Sequence, residues 1–153
     1  MFRKLLVLLI LCSLPLFSAA ELYSNVLVNS GFEGGTSEWD VTGWVRFNNA
    51  RRYEKADAHG GSYALDAWGN WWPTNPPEWN ASGAYQEFPA SQGQIWEASV
   101  WALAQAPVTG RLFAAINLEF YNTTQLIFSA SSVDKIASAS PIGQWFQLKV
   151  KAR

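Results

Sequence analysis

The sequence predicts an all-β fold, a small β-sandwich or barrel, and three observations carry this. Apolar and polar residues alternate with period two along most of the chain after residue 20. Clusters of Gly, Asn, Pro and Ser interrupt the alternation at short intervals, as turns between strands do. No apolar period of 3.6 residues is sustained for three helical turns. Many short strands joined by turns bury their apolar faces by closing into a sandwich or barrel.

Residues 1–20 stand outside that fold. Arg3 and Lys4 precede an unbroken apolar run, Leu5 to Leu11, and apolar character continues to Phe17. Ser18-Ala19-Ala20 then offers the small residues that a signal peptidase reads. The segment is expected to be a signal peptide cleaved before Glu21, which makes the protein secreted, periplasmic or cell-surface. A membrane anchor needs about 20 apolar residues, and the uninterrupted run is shorter. A lipoprotein signal would use Cys12, but Leu11 is too bulky for the position before it. Residues 21–153 form one domain, large enough for a core of its own. Cys12 is the only cysteine, so no internal disulfide is expected in that domain.

The strands follow in order. Asn25 to Val28 reads as the first, ended by Asn29-Ser30-Gly31. Trp44 to Phe47 and Arg51 to Lys55 are short strands. A turn at Ala58-His59-Gly60-Gly61 leads into Ser62 to Trp68. Residues 69–82 form a long irregular loop with Pro73, Pro76 and Pro77. Gly83 to Phe88 is a strand, and Gln94 to Leu103 and Arg111 to Tyr121 are longer ones. Asn122-Thr123-Thr124 turns into Leu126 to Ala130, and Trp145 to Ala152 is the last strand. Successive side chains of a strand point to opposite faces. Leu112, Ala114, Ile116, Leu118 and Phe120 are therefore assigned to the core, with Trp96, Ala98, Val100, Ala102, Ala84, Phe88, Leu148 and Val150. Trp44 and Trp145 are also expected in the core.

Composition narrows the function. The whole chain carries 11 basic and 12 acidic residues, and removal of Arg3 and Lys4 tilts it further towards acid. Nucleic acids and anionic membrane surfaces call for basic patches, so neither is an expected partner, and no membrane association is expected after signal cleavage. Nine Trp, nine Phe and five Tyr are more rings than a core of this size takes in. Trp and Tyr suit places with one apolar and one wet face, so some are expected to line a ligand surface.

The outward phase supplies that surface. Tyr85, Glu87, Trp101, Asn117, Glu119, Tyr121 and Gln147 mix rings with amides and carboxylates, where a solvated face would be Lys, Thr, Ser and Glu. Pyranose rings offer flat C–H patches that stack on indole or phenol, and hydroxyls that amides and carboxylates bind. Covering half a Trp removes on the order of 80 Å² of apolar surface, roughly 2 kcal/mol before the costs of binding. The loop carrying Trp68, Trp71, Trp72 and Trp79 is stiffened by three Pro and adds four further rings. Its exposed Trp are expected to join the carbohydrate site; at least one of Trp71, Trp72 and Trp79 is expected to stand in solvent. The bland alternatives are a ring-rich face covered by a loop, and a loop that plugs the end of the core. Catalysis is poorly supplied. His59 is the single histidine and no nucleophile elbow is present; a carboxylate pair from Glu87, Glu97 and Glu119 is the remaining enzymatic option. No transition-metal ligand spacing occurs.

Asn25-Val-Leu-Val-Asn-Ser-Gly-Phe-Glu33, followed by Trp39 or Trp44, resembles the opening of carbohydrate-binding modules of families 4, 9, 16 and 22. His59-Gly-Gly-Ser-Tyr-Ala-Leu65 resembles their next strand. Gly83-Ala-Tyr-Gln86 and Gly93-Gln-Ile-Trp-Glu-Ala-Ser-Val-Trp-Ala102 resemble their central hairpin. Leu118-Glu-Phe-Tyr-Asn122 and Gly143-Gln-Trp145 fit as well. The resemblance implies a galactose-binding-like jelly roll that binds polysaccharide such as β-glucan or xylan, usually beside a glycoside hydrolase. It also implies a structural Ca²⁺ held by Glu33 and carbonyls near Gly31. The family's second acidic ligand comes from a closing strand that has no counterpart before Arg153. The reading is therefore a C-terminally truncated module whose open sheet edge favours self-association.

The expectation from sequence is an exported, non-catalytic polysaccharide-binding module. A structural or adhesive β-sandwich that binds protein is the alternative, and a glycosidase using a Glu pair the third.

Overall fold

A computed structural model describes residues 24–69, 81–110 and 112–153. Residues 1–23, 70–80 and 111 lie outside the described residues, and with them the expected cleavage site and Trp71, Trp72 and Trp79. Among the described residues the chain is all-β, sandwich-like and without helix. No helix there is long and apolar enough to cross a membrane.

Eight strands form: β1 (Val45–Phe47), β2 (Ala50–Glu54), β3 (Tyr63–Ala67), β4 (Gly83–Tyr85), β5 (Trp96–Leu103), β6 (Asn117–Asn122), β7 (Gln125–Ser131) and β8 (Trp145–Ala152). They pair antiparallel as β1–β4, β2–β3, β5–β8 and β6–β7. The β4–β5 hairpin that the resemblance implied is not formed. β4 turns to β1, and β5 takes β8, the last strand.

The β5–β8 ladder is the longest, and its inner face shows why these two strands match. Trp96 lies opposite Ala152, Ala98 opposite Val150, Val100 opposite Leu148, and Ala102 opposite Phe146. The two largest side chains of this face, Trp96 and Phe146, each lie opposite an alanine. Leu148, Val150 and Ala152 are buried and join Val41, Ala50, Ala104 and Ile136 in the core. Full burial of a Leu or Val is worth about 1.5–3 kcal/mol each. The inward phase assigned to β5 and β8 from the sequence is the phase observed.

Two expected strands differ. Asn25 to Val28 forms no ladder, and Val26 and Val28 are exposed. The Gln86 side chain takes the place of a neighbouring strand: its Oε1 accepts the Val28 N–H at 3.1 Å and its Nε2 donates to the Val28 carbonyl at 2.6 Å. The strand expected over 111–121 is regular only from Asn117. Before it, Ala114 makes a single bridge to Ile136, and Leu112 and Phe113 are exposed. The expected core place of Leu112 and Ala114 is thus wrong, because the ladder that would hide them stops at Asn117–Ser131. Ser132, the one buried polar residue described, donates its N–H to the Ile116 carbonyl and accepts the Ile116 N–H on Oγ.

The β6–β7 turn falls at Thr123-Thr124, with Thr123 at φ 60°. Phe120 pairs with Phe128 and Tyr121 with Leu126, so Ile127 is the extra residue of a bulge.

The N-terminal loop is organised by Asn29, which sits at φ 51°. Its Nδ2 donates to the carbonyls of Gly34 and Thr42, both at 2.9 Å, and its Oδ1 accepts the Gly34 N–H at 2.8 Å. Its own carbonyl accepts the Trp44 indole N–H at 3.0 Å, and Trp44 packs on Phe32 at 5.0 Å. Asn tolerates this left-handed backbone better than most residues. Asn29→Ala removes three side-chain hydrogen bonds of about 1 kcal/mol each and adds backbone strain. It is expected to lower unfolding stability by about 2–4 kcal/mol in urea titrations, with Trp fluorescence as the readout.

Candidate ligand-binding site

The outer face of the β5–β8 ladder follows from the register that fills the core. Glu97 lies opposite Lys151, Ser99 opposite Lys149, Trp101 opposite Gln147 and Leu103 opposite Trp145. Trp101 is 43% exposed, with the Gln147 amide across from it. Glu97 and Lys151 form an exposed ion pair at 3.6 Å, of little energetic weight. Trp145 therefore points outward with Gln147, which corrects its expected place in the core. The pleat requires this: Leu148 and Val150 inward send the odd-numbered residues of β8 outward.

The connection between β2 and β3 lies over this face. Lys55 donates its N–H to the Ser62 carbonyl at 2.9 Å, and Ala58 donates to the Lys55 carbonyl at 3.1 Å, which closes the loop. The Asp57 carbonyl accepts the Trp145 indole N–H at 3.2 Å. His59 stacks on Trp101 with ring centroids 4.0 Å apart and planes 14° from parallel, and meets Trp145 edge-on at 5.6 Å. The Lys55 ammonium hydrogen-bonds Asp57 and holds its carboxyl below the usual carboxylate range. Beside these rings lies an open cleft of about 400 Å³, lined by Tyr53, Glu54, Lys55, Ala56, Asp57, Leu103, Gln105 and Gly143. Small-molecule sites commonly have this volume.

A second cluster brings together four of the other expected residues. Tyr121 donates its O–H to Glu119 Oε2 at 2.7 Å. That bond lifts the Tyr121 phenol above the usual tyrosine range, and burial and the charges of Glu119, Glu87 and Tyr85 push the same way. Tyr85 packs on Phe47 at 6.4 Å, and Tyr85 and Tyr121 remain 43% and 54% exposed. Asn117 is exposed on the same phase of β6, opposite Ser131. Trp68 sits elsewhere, on the β2–β3 ladder under Arg51, whose guanidinium carbon is 5.3 Å from its ring. Arg51 is itself held by Glu38 at 3.1 Å and Asp66 at 3.3 Å.

Sequence reasoning missed His59 and Trp145 as neighbours of Trp101, and Tyr53, Asp57 and Gln105 as cleft residues. The parity of β8 carried the signal for Trp145. For His59 and Asp57 there was none, because alternation does not say which loop covers which sheet.

The residues around Glu33 do not fit a calcium site. The Glu33 carboxylate accepts the backbone N–H groups of Ser62 and Tyr63 at 3.1 Å, so donors already face it. The neighbouring carbonyls of Phe32 and Glu33 accept from Arg52, Nε at 2.9 Å and Nη2 at 2.7 Å. A guanidinium thus holds the oxygens that a hard cation would need. Gly31 lies in the exposed turn before them, and no group of three or more His, Cys, Asp or Glu suited to a metal occurs among the described residues. Gly61, at φ 73°, approaches Glu33 so closely that a Cβ would fall 2.2 Å from Oε1.

Two predictions follow from these contacts. Arg52→Met is expected to lower stability by about 2–4 kcal/mol through its two charge-assisted hydrogen bonds, while EDTA or added Ca²⁺ leaves the melting temperature unchanged; calorimetry reads both. Glu119→Gln is expected to lower the Tyr121 pKa towards its ordinary value, as followed by NMR of ring-labelled tyrosine with Tyr121→Phe for assignment. A phenol whose folded pKa is raised contributes stability that is present below its unfolded pKa and is lost as pH rises through the folded one. Wild type is therefore expected to lose stability at alkaline pH as Tyr121 ionises, and Glu119→Gln to lose less. No protein-family model, curated protein or solved structure matches the chain.

Proposed function

We propose that the protein is an exported, non-catalytic module that binds polysaccharide, β-glucan, xylan or a related chain, on a galactose-binding-like jelly roll, and serves to target a glycoside hydrolase. The observation that carries this reading is the outer face of β5 and β8. There an exposed indole, Trp101, lies across from an amide, Gln147, next to a second indole and an open cleft with polar walls. Rings take the C–H patches of a pyranose, and the amide, carboxylate and ammonium groups around them take its hydroxyls. Tyr85, Glu87, Glu119 and Tyr121 repeat the same mixture of ring and acceptor. Two of the three carboxylates considered for catalysis have other partners: Glu97 pairs with Lys151 and Glu119 accepts from Tyr121. We assign them no step of bond cleavage.

A second reading, a structural or adhesive surface that binds protein, draws on β7. Leu126, Ile127 and Phe128 are 48%, 67% and 49% exposed, and among the described strands β7 pairs only with β6. An unpaired edge of this composition favours association with another chain. Sedimentation at rising concentration separates the readings: glycan binding by a monomer supports the first, association without glycan binding the second.

Affinity electrophoresis through gels containing xylan or mixed-linkage β-glucan tests the glycan reading. Wild type is expected to be retarded. Trp101→Ala combined with Tyr121→Ala is expected to run at its free mobility while remaining folded by thermal melt, since both side chains are exposed and neither belongs to the core. Retention of the double variant equal to that of wild type would show that the ligand binds elsewhere.

A further inference from the structure

We propose that His59 occupies the ligand's place on Trp101, so that a sugar ring stacking there must displace it; this rests on the glycan reading above. A flat ring laid parallel on an indole at 4.0 Å and 14° makes the contact that a pyranose face would make. Only ring contacts hold it. Among the described residues neither imidazole nitrogen takes part in a hydrogen bond, whereas Trp145 is anchored through its indole N–H to the Asp57 carbonyl.

The loop is built to let the side chain move while its backbone stays. Its return is pinned where Glu33 accepts the N–H groups of Ser62 and Tyr63, and its ends are joined by the Lys55–Ser62 hydrogen bond. At the tip, Gly60 has open space where a Cβ would stand. His59 is itself exposed, so its ring has solvent to turn into.

The strand residues around the imidazole, Trp101, Leu103, Trp145 and Gln147, are uncharged, and the nearest charged pair on the outer face of the ladder, Glu97 with Lys151, is satisfied by itself. On the loop side stand Asp57, already paired with Lys55, and the Glu33 carboxylate bonded to backbone.

The test uses the full chain, with soluble xylan and mixed-linkage β-glucan as probes, in affinity gels and titration calorimetry. His59→Ala is expected to bind about three- to tenfold more tightly than wild type. His59→Phe keeps a ring on Trp101 and is expected to bind no more tightly than wild type. His59 is the single histidine, so its ring protons are assigned at once by NMR. They are expected upfield in the free protein, to lose that shift when glycan saturates the site, and to lose it in Trp101→Ala. If wild type is retarded and His59→Ala binds equally or more weakly, the displacement idea alone is wrong. If neither protein binds either glycan, the glycan reading falls and this inference falls with it.

Discussion

The pairing of β5 with β8 governs both the core and the candidate site. One register places Leu148, Val150 and Ala152 inside and Trp145, Gln147, Lys149 and Lys151 outside. A slip of one residue would exchange the two sets and expose the apolar face. The free energy of burying two large aliphatic side chains thus also aims Trp101 and Gln147 at solvent. Site geometry is in this sense a by-product of core packing.

Outside that ladder, polar side chains do much of what strands do elsewhere. Gln86 pairs with Val28 as a neighbouring strand would, Asn29 gathers three backbone groups of one loop, the Glu33 carboxylate holds the backbone at Ser62, and Arg52 holds the Glu33 carbonyl. Such contacts are short in sequence terms only for Asn29. Glu33 and Gln86 reach across 29 and 58 residues, so they fix how the N-terminal segment lies on the strands. Backbone groups that lack a ladder partner must find one somewhere. Side-chain amides and carboxylates meet that need.

The strands and their inward phases were legible because a half-buried strand writes its geometry into every second residue. β5 and β8 show this at full length. Partner choice was not legible: nothing local in Trp96–Leu103 says that its neighbour starts at Trp145, some forty residues on. The expectation for Trp145 failed differently. Its aromatic character suggested core, while its position an odd number of residues from Leu148 said otherwise, and the pleat prevailed. Leu112 and Ala114 had the right parity but no ladder above them. Asn25 to Val28 had strand composition, yet only Gln86 to pair with. Of the site, the outward set on β5, β6 and β8 was readable, and the loop residues His59 and Asp57 were not, since their position depends on how one hairpin lies across another pair of strands.

Charge then separates the two ring-bearing clusters. Around Tyr121, two carboxylates act on one phenol strongly enough to disfavour a second kind of negative charge, the phenolate. A uronic carboxylate placed there would meet the same field, whereas neutral hydroxyls would find acceptors in Glu87 and Glu119 and a donor in the Tyr85 phenol. The Trp101 face is different in kind: Gln147 is neutral, and the nearest charged strand residue is a lysine. Within the proposed function, a chain that touched both clusters would be favoured if it were uncharged, as β-glucan and unsubstituted xylan are. Acidic substituents would be tolerated only at the Trp101 end. Like charge at the Tyr121 cluster thus opposes what Lys149 would attract beside Trp101.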